Sequence, residues 1–270
     1  MKNKTQYSKE RIKYLNGIKK NKFIIIFWRF ALLAIIFASW EILANAGVID
    51  PFITSSPSRI VNTIRNLFIN DNFSHHIATT LYETVLGFIL AVGIGYAVAL
   101  ILWWSEKTRK VLEPYIVVLN SLPKIALGPV IIIWFGSGDR AIIFMAFIIG
   151  IVVAIMTMLN GFLAVDKNKI LLLKSFGANK FQILLKLVIP GSMPSLISML
   201  KISVGMAWIG SIMGEYLVSR AGLGYLIVYG GQVFKLDLVM ASTVVLCILA
   251  TLMYLLVALL EKFIIKYKSE

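Results

Sequence analysis

The stretch KSFGANKFQILLKLVIPGSMP, residues 174–194, lies between two long apolar segments. It combines three lysines and two glycines with large apolar side chains such as Phe176 and Phe181. A partly apolar loop that faces water needs another molecule to cover it. We therefore interpret residues 174–194 as a surface that this chain offers to a partner protein.

The composition around this loop is that of a membrane protein. Hydrophobic residues make up 59% of the 270 residues, and charged residues only 15%. A soluble domain is far less apolar, whereas a polytopic helical membrane protein has this balance. Cys247 is the only cysteine, so an intrachain disulfide is excluded. The formal charge of +14 does not indicate nucleic-acid binding, because the cations are distributed by loop rather than clustered on one soluble face.

Six apolar segments are long enough to cross about 30 Å of hydrocarbon at 1.5 Å per helical residue. We therefore predict an all-α polytopic membrane protein with about six transmembrane helices. Its parts are a basic cytosolic tail (1–22), a transmembrane domain (23–265) with a cytosolic loop at 165–189, and a short C-terminal tail (266–270). The predicted spans are 23–46, 77–104, 111–135, 141–164, 190–218 and 236–265.

The distribution of lysine and arginine predicts the orientation. Nineteen of them fall in the N-terminal tail, the 105–110 and 165–189 loops and the C-terminal end, against five on the other side. The positive-inside rule then places both termini in the cytosol of a multi-pass protein of the cell membrane. The tail 1–22 is expected either to lie on anionic lipid as an amphipathic helix or to be disordered. A competing interpretation takes residues 1–46 as a secretory signal.

The third span contains LNSLPKIALGP, residues 119–129, with Pro123 and Pro129 on either side of Gly128. Each proline removes a backbone donor and bends or breaks the helix. Broken backbone at membrane depth is tolerated only against protein or along a cavity. We therefore expect this segment to face the interior of a helix bundle, either along the solute path or as a structural kink.

Two lysines lie near the bilayer centre. Lys124 and Lys201 are each about 16 Å from the inner end of their spans. A charge there costs about 2.5–3.5 kcal/mol, so each lysine needs a partner, water or a ligand. Two cations at one depth favour an anionic solute, and the alternative is that they pair with Glu83 or Glu215. The candidate translocation-path residues are Glu83, Pro123, Lys124, Lys201 and Glu215.

Other motifs are weaker. Glu215 is expected to pair with Arg220 or with a backbone group. His75 and His76 lack a third ligand, so we predict no metal site and regard both as solvated loop residues. Gly87, Gly93 and Gly95 are spaced for close helix packing. No GxxxxGK[ST], HExxH or GxSxG motif is present, so the sequence indicates neither ATP binding nor catalytic residues in this chain.

The 174–194 loop resembles the EAA loop of binding-protein-dependent ABC importer permeases. In that pattern, EAA is followed by three residues, a glycine, nine residues and then I-x-L-P. Gly177 matches the glycine, Leu187 and Ile189 take the aliphatic positions, and Pro190 matches the proline. The EAA triplet itself falls on residues 171–173, which are all leucine, so the acidic residue is missing.

Within that superfamily the chain is most similar to the nitrate, sulfonate, taurine and bicarbonate type of permease. That group also includes transporters for thiamine-precursor-like and other heterocyclic compounds. The similarity is carried by SSPSRIV, TLYETVLGF, LNSLPKIALGPVIIIWFG, KSFGANKFQ, GMAWIGSIMGEYL and AGLGYLI. Glu83 stands where many sulfonate-type members have arginine, and Lys201 where they often have arginine.

The resemblance implies the type I ABC importer permease fold. It also implies a dimer of membrane subunits, two cytosolic subunits that hold ATP and Mg, and an extracytoplasmic solute-binding protein. We expect the loop to form a short helix at about 175–186 that docks on the ATPase. The implied ATPase-coupling residues are Lys174, Ser175, Phe176, Gly177, Ala178, Phe181, Leu184, Leu185, Leu187, Ile189 and Pro190.

The leading hypothesis is thus an importer permease for a small, anionic solute, driven by ATP hydrolysis in a partner. A heterocyclic solute is the alternative within the same class. A secondary transporter or channel acting without ATP is a second class of function, and an intramembrane enzyme is a third.

Overall fold

The computed structural model describes residues 9–70 and 72–265, and every regular element within them is helical. The predicted tail at 266–270 and the first eight residues of the predicted tail at 1–22 lie outside this part of the chain. The described residues divide into two compact units, 9–63 and 64–265. Each unit is considered by itself.

The first unit is built on one long helix, α1 (Lys9–Asn45). This helix runs without a break through the basic residues 9–22, which therefore extend the first span rather than forming a separate element. A short helix, α2 (Pro51–Thr54), follows, and α3 (Pro57–Asn70) begins at the predicted Ser56-Pro57 start. Glu41 near the end of α1 accepts hydrogen bonds from the amide and the hydroxyl of Ser58, at 3.0 and 2.7 Å.

The second unit contains the remaining helices. The long ones and the broken span are α4 (Phe73–Trp104), α5 (Glu106–Ser121), a 3₁₀ turn (Lys124–Leu127), α6 (Gly128–Phe135), α7 (Asp139–Leu163), α11 (Met193–Val218) and α13 (Leu236–Ile265). The short ones are α8 (Lys167–Ser175), α9 (Lys180–Ile183), α10 (Ile189–Gly191) and α12 (Leu223–Gln232). Five helices in the described chain are long and apolar enough to span a membrane, and the broken pair from Glu106 to Phe135 makes a sixth. The predicted all-α fold with about six spans is confirmed.

The centre of this unit is the packing of α7 against α4 and α11. The α4–α7 contact uses small side chains at successive turns. Gly95 faces Ala154, where an added Cβ would lie 2.7 Å from the alanine Cβ, and Ala91 faces Gly150 in the same way. Close approach of small residues is a common way for membrane helices to associate. Gly87 and Gly95 thus have the predicted role, whereas none of the described residues lies within 4 Å of a Cβ built on Gly93.

The first part of the broken third span, α5, lies on the surface of this unit. The two parts of the span meet at a bend of 87°, as the prolines predict. None of the side chains of α5 is buried, and Pro123 is exposed. The segment 119–129 is divided within this chain: residues 119–123 are exposed, whereas Gly128 is buried beside Leu217 and Met145, as expected of an interior-facing segment. Most apolar side chains of α5 are thus exposed in the single chain, whereas Ile131 of α6 is buried in its core.

Candidate functional site

The segment between α7 and α11, residues 164–192, contains the predicted ATPase-coupling residues and is called the coupling segment below. It consists of a helix, a glycine turn and a second helix. Asp166 caps the start of α8 by accepting a hydrogen bond from the Asn168 amide at 2.9 Å. Gly177 follows the end of α8 with a φ of +76°, a left-handed conformation that glycine adopts without strain. Asn179 and Gln182 then form a capping box that starts α9, with bonds of 2.8 and 2.9 Å. The single helix predicted at about 175–186 is therefore interrupted at residues 176–179.

The chain then returns to the bundle through a π-helical turn, Leu184–Val188. Ile183, Leu184 and Val188 are buried in one apolar core with residues of α4, α7 and α11. This core ties the segment to all three central helices. A displacement of the segment would therefore displace the spans as well, because their side chains pack directly against it.

The outer face of the same segment is apolar and uncovered. Phe176 is 78% exposed, Phe181 57% and Leu185 48%. Leu184 belongs to the opposite face at 8% exposure, so the expectation that it offers an external contact was wrong. The remaining predicted coupling residues divide between the two faces. Lys174, Ser175, Gly177 and Pro190 are exposed, whereas Ala178, Leu187 and Ile189 are half-buried against the core.

Lys180 anchors the start of α9 to the end of α4, and sequence reasoning did not find it. Its ammonium group donates a hydrogen bond to the Trp104 carbonyl oxygen. It also lies 5.8 Å from the ring centre of Trp103 and 5.2 Å from that of Trp104. Both distances allow cation–π attraction. Lys180 lies 76 residues after Trp104, so no local sequence pattern could have revealed this contact.

Gly177 provides a test of this turn. None of the described residues lies within 4 Å of a Cβ added there, so backbone strain is the main cost of a substitution. We expect Gly177→Val to misplace α9 and reduce ATP-driven uptake, because a left-handed conformation costs a β-branched residue about 1–2 kcal/mol. Gly177→Asn should retain most of the uptake, because asparagine tolerates this conformation. Equal losses in the two variants would show that side-chain bulk, not backbone conformation, matters at this position.

The two candidate lysines have partners other than those predicted. Lys201 on α11 forms an ion pair of 2.6 Å with Glu261 on α13. Lys124 donates a hydrogen bond of 3.2 Å to the Asn120 carbonyl oxygen one turn earlier. The alternative in which these lysines pair with Glu83 or Glu215 is therefore wrong. Lys124 is half-buried beside the break in the third span, next to the exposed Pro123.

Glu83 and Glu215 lie together at the end of α11 that is far from the coupling segment. Both are buried, at 0% and 2% exposure, at the contact between α4 and α11 where Thr84 and Ser211 share a hydrogen bond of 2.6 Å. Glu215 accepts a hydrogen bond from the Gly224 amide at 2.5 Å, so the predicted backbone partner is confirmed. Because Lys201 and Glu215 are fourteen residues apart on α11, they are separated by about 21 Å. The five path candidates therefore do not form one cluster.

His76 has a structural role that the sequence did not indicate. It lies in the first turns of α4 rather than in a loop, and its Nδ1 accepts a hydrogen bond of 3.0 Å from the Gly222 amide. Its ring stacks on Tyr225 at a centroid distance of 6.1 Å. The interpretation of His76 as a solvated loop residue was therefore wrong.

The chain belongs to a known family of membrane transport proteins. Residues 83–266 match the family described as "Binding-protein-dependent transport system inner membrane component". The chain is thus a permease subunit of an ABC importer. Members of this family are transport components rather than catalysts, and they work with an ATPase and a binding protein. The match also supports a multi-pass location in the plasma membrane.

Three similar proteins illustrate what the chain resembles. A permease protein of Bacillus subtilis (strain 168), SsuC, named as a candidate for aliphatic sulfonate transport, is 26% identical over 88% of this chain and 86% of its own. The formylaminopyrimidine transport permease protein ThiX of Halalkalibacterium halodurans is 28% identical over 69% of this chain and 74% of its own.

The third is a chain of the inward-facing MetNI methionine ABC transporter, which is similar in fold. It superposes with a TM-score of 0.63 at 19% sequence identity, covering 71% of this chain and 95% of that one. The architecture is accordingly that of type I ABC importer permeases. At this identity the likeness concerns the fold alone.

Proposed function

We propose that this chain forms the membrane path for a small sulfonate-like anion, which is imported at the expense of ATP hydrolysed by a cytosolic partner. The observation that carries the proposal is that the coupling segment, in a chain of this family, has one exposed apolar face and one face buried in the core. Phe176, Phe181 and Leu185 are exposed on one face, while Leu184 and Val188 on the other are packed among the central helices. Such a segment can pass a rigid-body movement of a docked ATPase to the spans.

The orientation and the partners follow from this proposal. If the ATPase docks on the coupling segment, the 165–189 loop and both termini are cytosolic. A binding protein then delivers solute at the opposite end of the bundle. ATP and Mg belong to the ATPase, because the chain carries no phosphate-binding loop of its own.

We assign the exposed first part of the third span, α5, to contact with a second copy of the chain. Along α5 the exposed apolar side chains include Val111, Tyr115, Val117 and Val118. The break that follows, between Ser121 and Lys124, consists of the exposed residues Leu122 and Pro123. Irregular backbone at membrane depth requires protein or a water-filled cavity beside it. A homodimer whose solute path runs along this break supplies both.

Of the two candidate lysines, Lys124 is the better solute contact. It lies at the break, and its partner among the described residues is a backbone carbonyl, whereas Lys201 is already neutralised by Glu261. A cation near the bilayer centre without a carboxylate can offset the charge of a passing anion. Lys201 would instead join α11 to α13.

The test is uptake of radiolabelled taurine or another alkanesulfonate into proteoliposomes. The vesicles contain the complete complex, with the binding protein outside and ATP inside. Uptake should require ATP; transport by the permease without ATPase or ATP would identify a secondary transporter or channel and contradict the proposal. We expect Lys124→Gln to lower uptake about tenfold, the equivalent of 1.4 kcal/mol at the transition state for translocation.

Two further variants control the lysine experiment. Lys110→Gln removes an exposed lysine that pairs with Glu106 on the same helix, and it should leave uptake near the wild-type rate. Lys201→Gln should lower the melting temperature of the complex, and Lys201→Gln with Glu261→Gln should recover part of that loss. If Lys124→Gln transports normally while Lys201→Gln does not, the roles assigned to these two lysines are reversed.

A heterocyclic solute is the second candidate, supported by the similarity to the formylaminopyrimidine permease protein. The same vesicles distinguish the two. An excess of unlabelled formylaminopyrimidine that abolishes alkanesulfonate uptake, or is itself taken up instead, would transfer the assignment to the heterocycle. No competition would support the sulfonate.

A further inference from the structure

The N-terminus of α12 is held by side chains from two other helices. The first amides of a helix have no partner within it. Here the Gly222 amide donates to His76 Nδ1 and the Leu223 amide to Thr80 Oγ1, at 3.0 and 2.8 Å. The amides of Gly224 and Tyr225 donate to Glu215 Oε2, at 2.5 and 3.3 Å. We call these four amides and their three acceptors the α12 latch.

The α12 latch leaves no room for a residue larger than glycine at positions 222 and 224. Gly222 has a φ of +111°, and a Cβ built on it would collide with the Glu215 carboxyl group. A Cβ on Gly224 would lie 2.8 Å from Glu215 Oε2. The Glu215 carboxyl group therefore contacts the backbone at the start of α12. The partial positive charge of a helix N-terminus favours an anion at this position.

Glu83 is a second buried carboxyl group beside the α12 latch. When it is ionised, it supplies no hydrogen-bond donor. It follows Thr80 by one turn of α4, is fully buried, and neither of its oxygens has a hydrogen-bond partner among the described residues. Glu215 Oε1 also lacks a partner there. Asp139, at the start of α7, contributes more negative charge to the same region. No cation of the described chain donates to either glutamate.

Two buried anions in contact would be strongly unfavourable. The charge on Glu215 is offset by two amide donors and the helix N-terminus, whereas a charge on Glu83 would have no compensation. A single proton removes the conflict, because a protonated carboxyl can donate to Glu215 Oε1. That one hydrogen bond gives a partner to both groups that lack one.

We propose that Glu83 holds a proton and donates it in a hydrogen bond to Glu215 Oε1, so that the pair carries one negative charge that fastens the N-terminus of α12. The site is a buried proton-binding site at the end of the bundle far from the coupling segment. Its role is to position α12 against α4 and α11. This inference does not depend on which solute the importer moves.

Infrared spectroscopy of the purified complex tests the proton directly. At neutral pH the wild-type protein should show the carbonyl stretch of a protonated carboxylic acid. Glu83→Gln should lose that band, while Asp139→Asn, which removes an exposed carboxylate, should keep it. Absence of the band from the wild-type protein, or its persistence unchanged in Glu83→Gln, would overturn the proposal.

Thermal melting separates a hydrogen-bond donor from a space-filling side chain. Glu83→Gln should melt at the wild-type temperature, because its amide can donate to the same Glu215 oxygen. Glu83→Leu has a similar size and no donor, and should melt roughly 2–4 °C lower. Equal melting of the two variants would contradict the assigned hydrogen bond.

A bound alkali cation is the competing way to neutralise the pair, and it has a distinct result. The wild-type melting temperature would then rise when sodium or potassium replaces choline at constant ionic strength, and Glu83→Gln would lose that dependence. This outcome would replace the proton by a metal cation. We expect the melting temperature to be the same in the three salts.

Discussion

Replacing Phe181 by alanine is expected to weaken docking of the ATPase by about thirtyfold, which corresponds to about 2 kcal/mol for an aromatic anchor at an interface. The side chain is 57% exposed in the chain itself, so its removal should cost little stability of the permease. The loss should therefore appear as less ATPase copurified with the permease and as lower ATP-driven uptake, with an unchanged melting temperature of the permease.

Two matched variants sharpen this experiment. Phe234→Ala also removes an exposed phenylalanine, 70% accessible, but from the connection between α12 and α13. It should leave ATPase docking intact. Leu184→Ala removes a buried side chain from the inner face of the coupling segment, and should lower the melting temperature, because deleting a buried leucine costs about 2–5 kcal/mol. Equal ATPase retention by Phe181→Ala and Phe234→Ala would refute docking at this face.

The distinction between the two faces was only partly accessible from the sequence. The spacing from Gly177 to Pro190 carried the resemblance to the EAA loop, and this resemblance implied a coupling segment. The burial of Leu184 was not predictable in this way. Leu184 is buried, together with Ile183 before it, in a core that α4, α7 and α11 also form, so its burial depends on how distant parts of the chain pack.

The spans and the break in the third span were predictable for a different reason. Hydrocarbon thickness sets the length of a crossing helix, and a proline acts on the helix that contains it. Both are read from consecutive residues. The exposure of α5 and Pro123 was missed because hydropathy distinguishes apolar from polar surroundings, but it does not distinguish the chain's own bundle from a second subunit or lipid.

The long-range polar contacts carried no sequence signal at all. Lys201 meets Glu261 sixty residues later, and His76 meets Gly222 across 146 residues. Such pairs depend on how the helices pack, and a buried charge at one position is compatible with several partners elsewhere. For that reason the sequence suggested Glu83 or Glu215 as the partner of Lys201. In the structure the partner of Lys201 is Glu261, and Glu83 and Glu215 are buried together elsewhere.

Gly95→Val is expected to disrupt the central α4–α7 contact and to destabilise the permease by about 1–3 kcal/mol, the usual cost of overpacking a close contact. An added Cβ at Gly95 would lie 2.7 Å from the Ala154 Cβ and 3.4 Å from the Ile151 carbonyl oxygen. The helices would have to separate, and lost packing in a membrane is not compensated by a hydrophobic effect between helices. Thermal unfolding of the purified complex should show a fall of roughly 2–12 °C.

Gly93 provides the control within the same helix. Gly93→Val makes the same chemical change two residues away, at a position where nothing lies within 4 Å, so its melting temperature should stay close to that of the wild type. Ala154→Gly removes the atom that Gly95→Val meets, and the double variant should therefore recover part of the loss. Recovery would attribute the effect to this one contact, because distant substitutions add independently while touching ones do not. If both valine variants are equally destabilised and Ala154→Gly recovers nothing, the cost arises from the valine within α4 and not from the packing of α4 on α7.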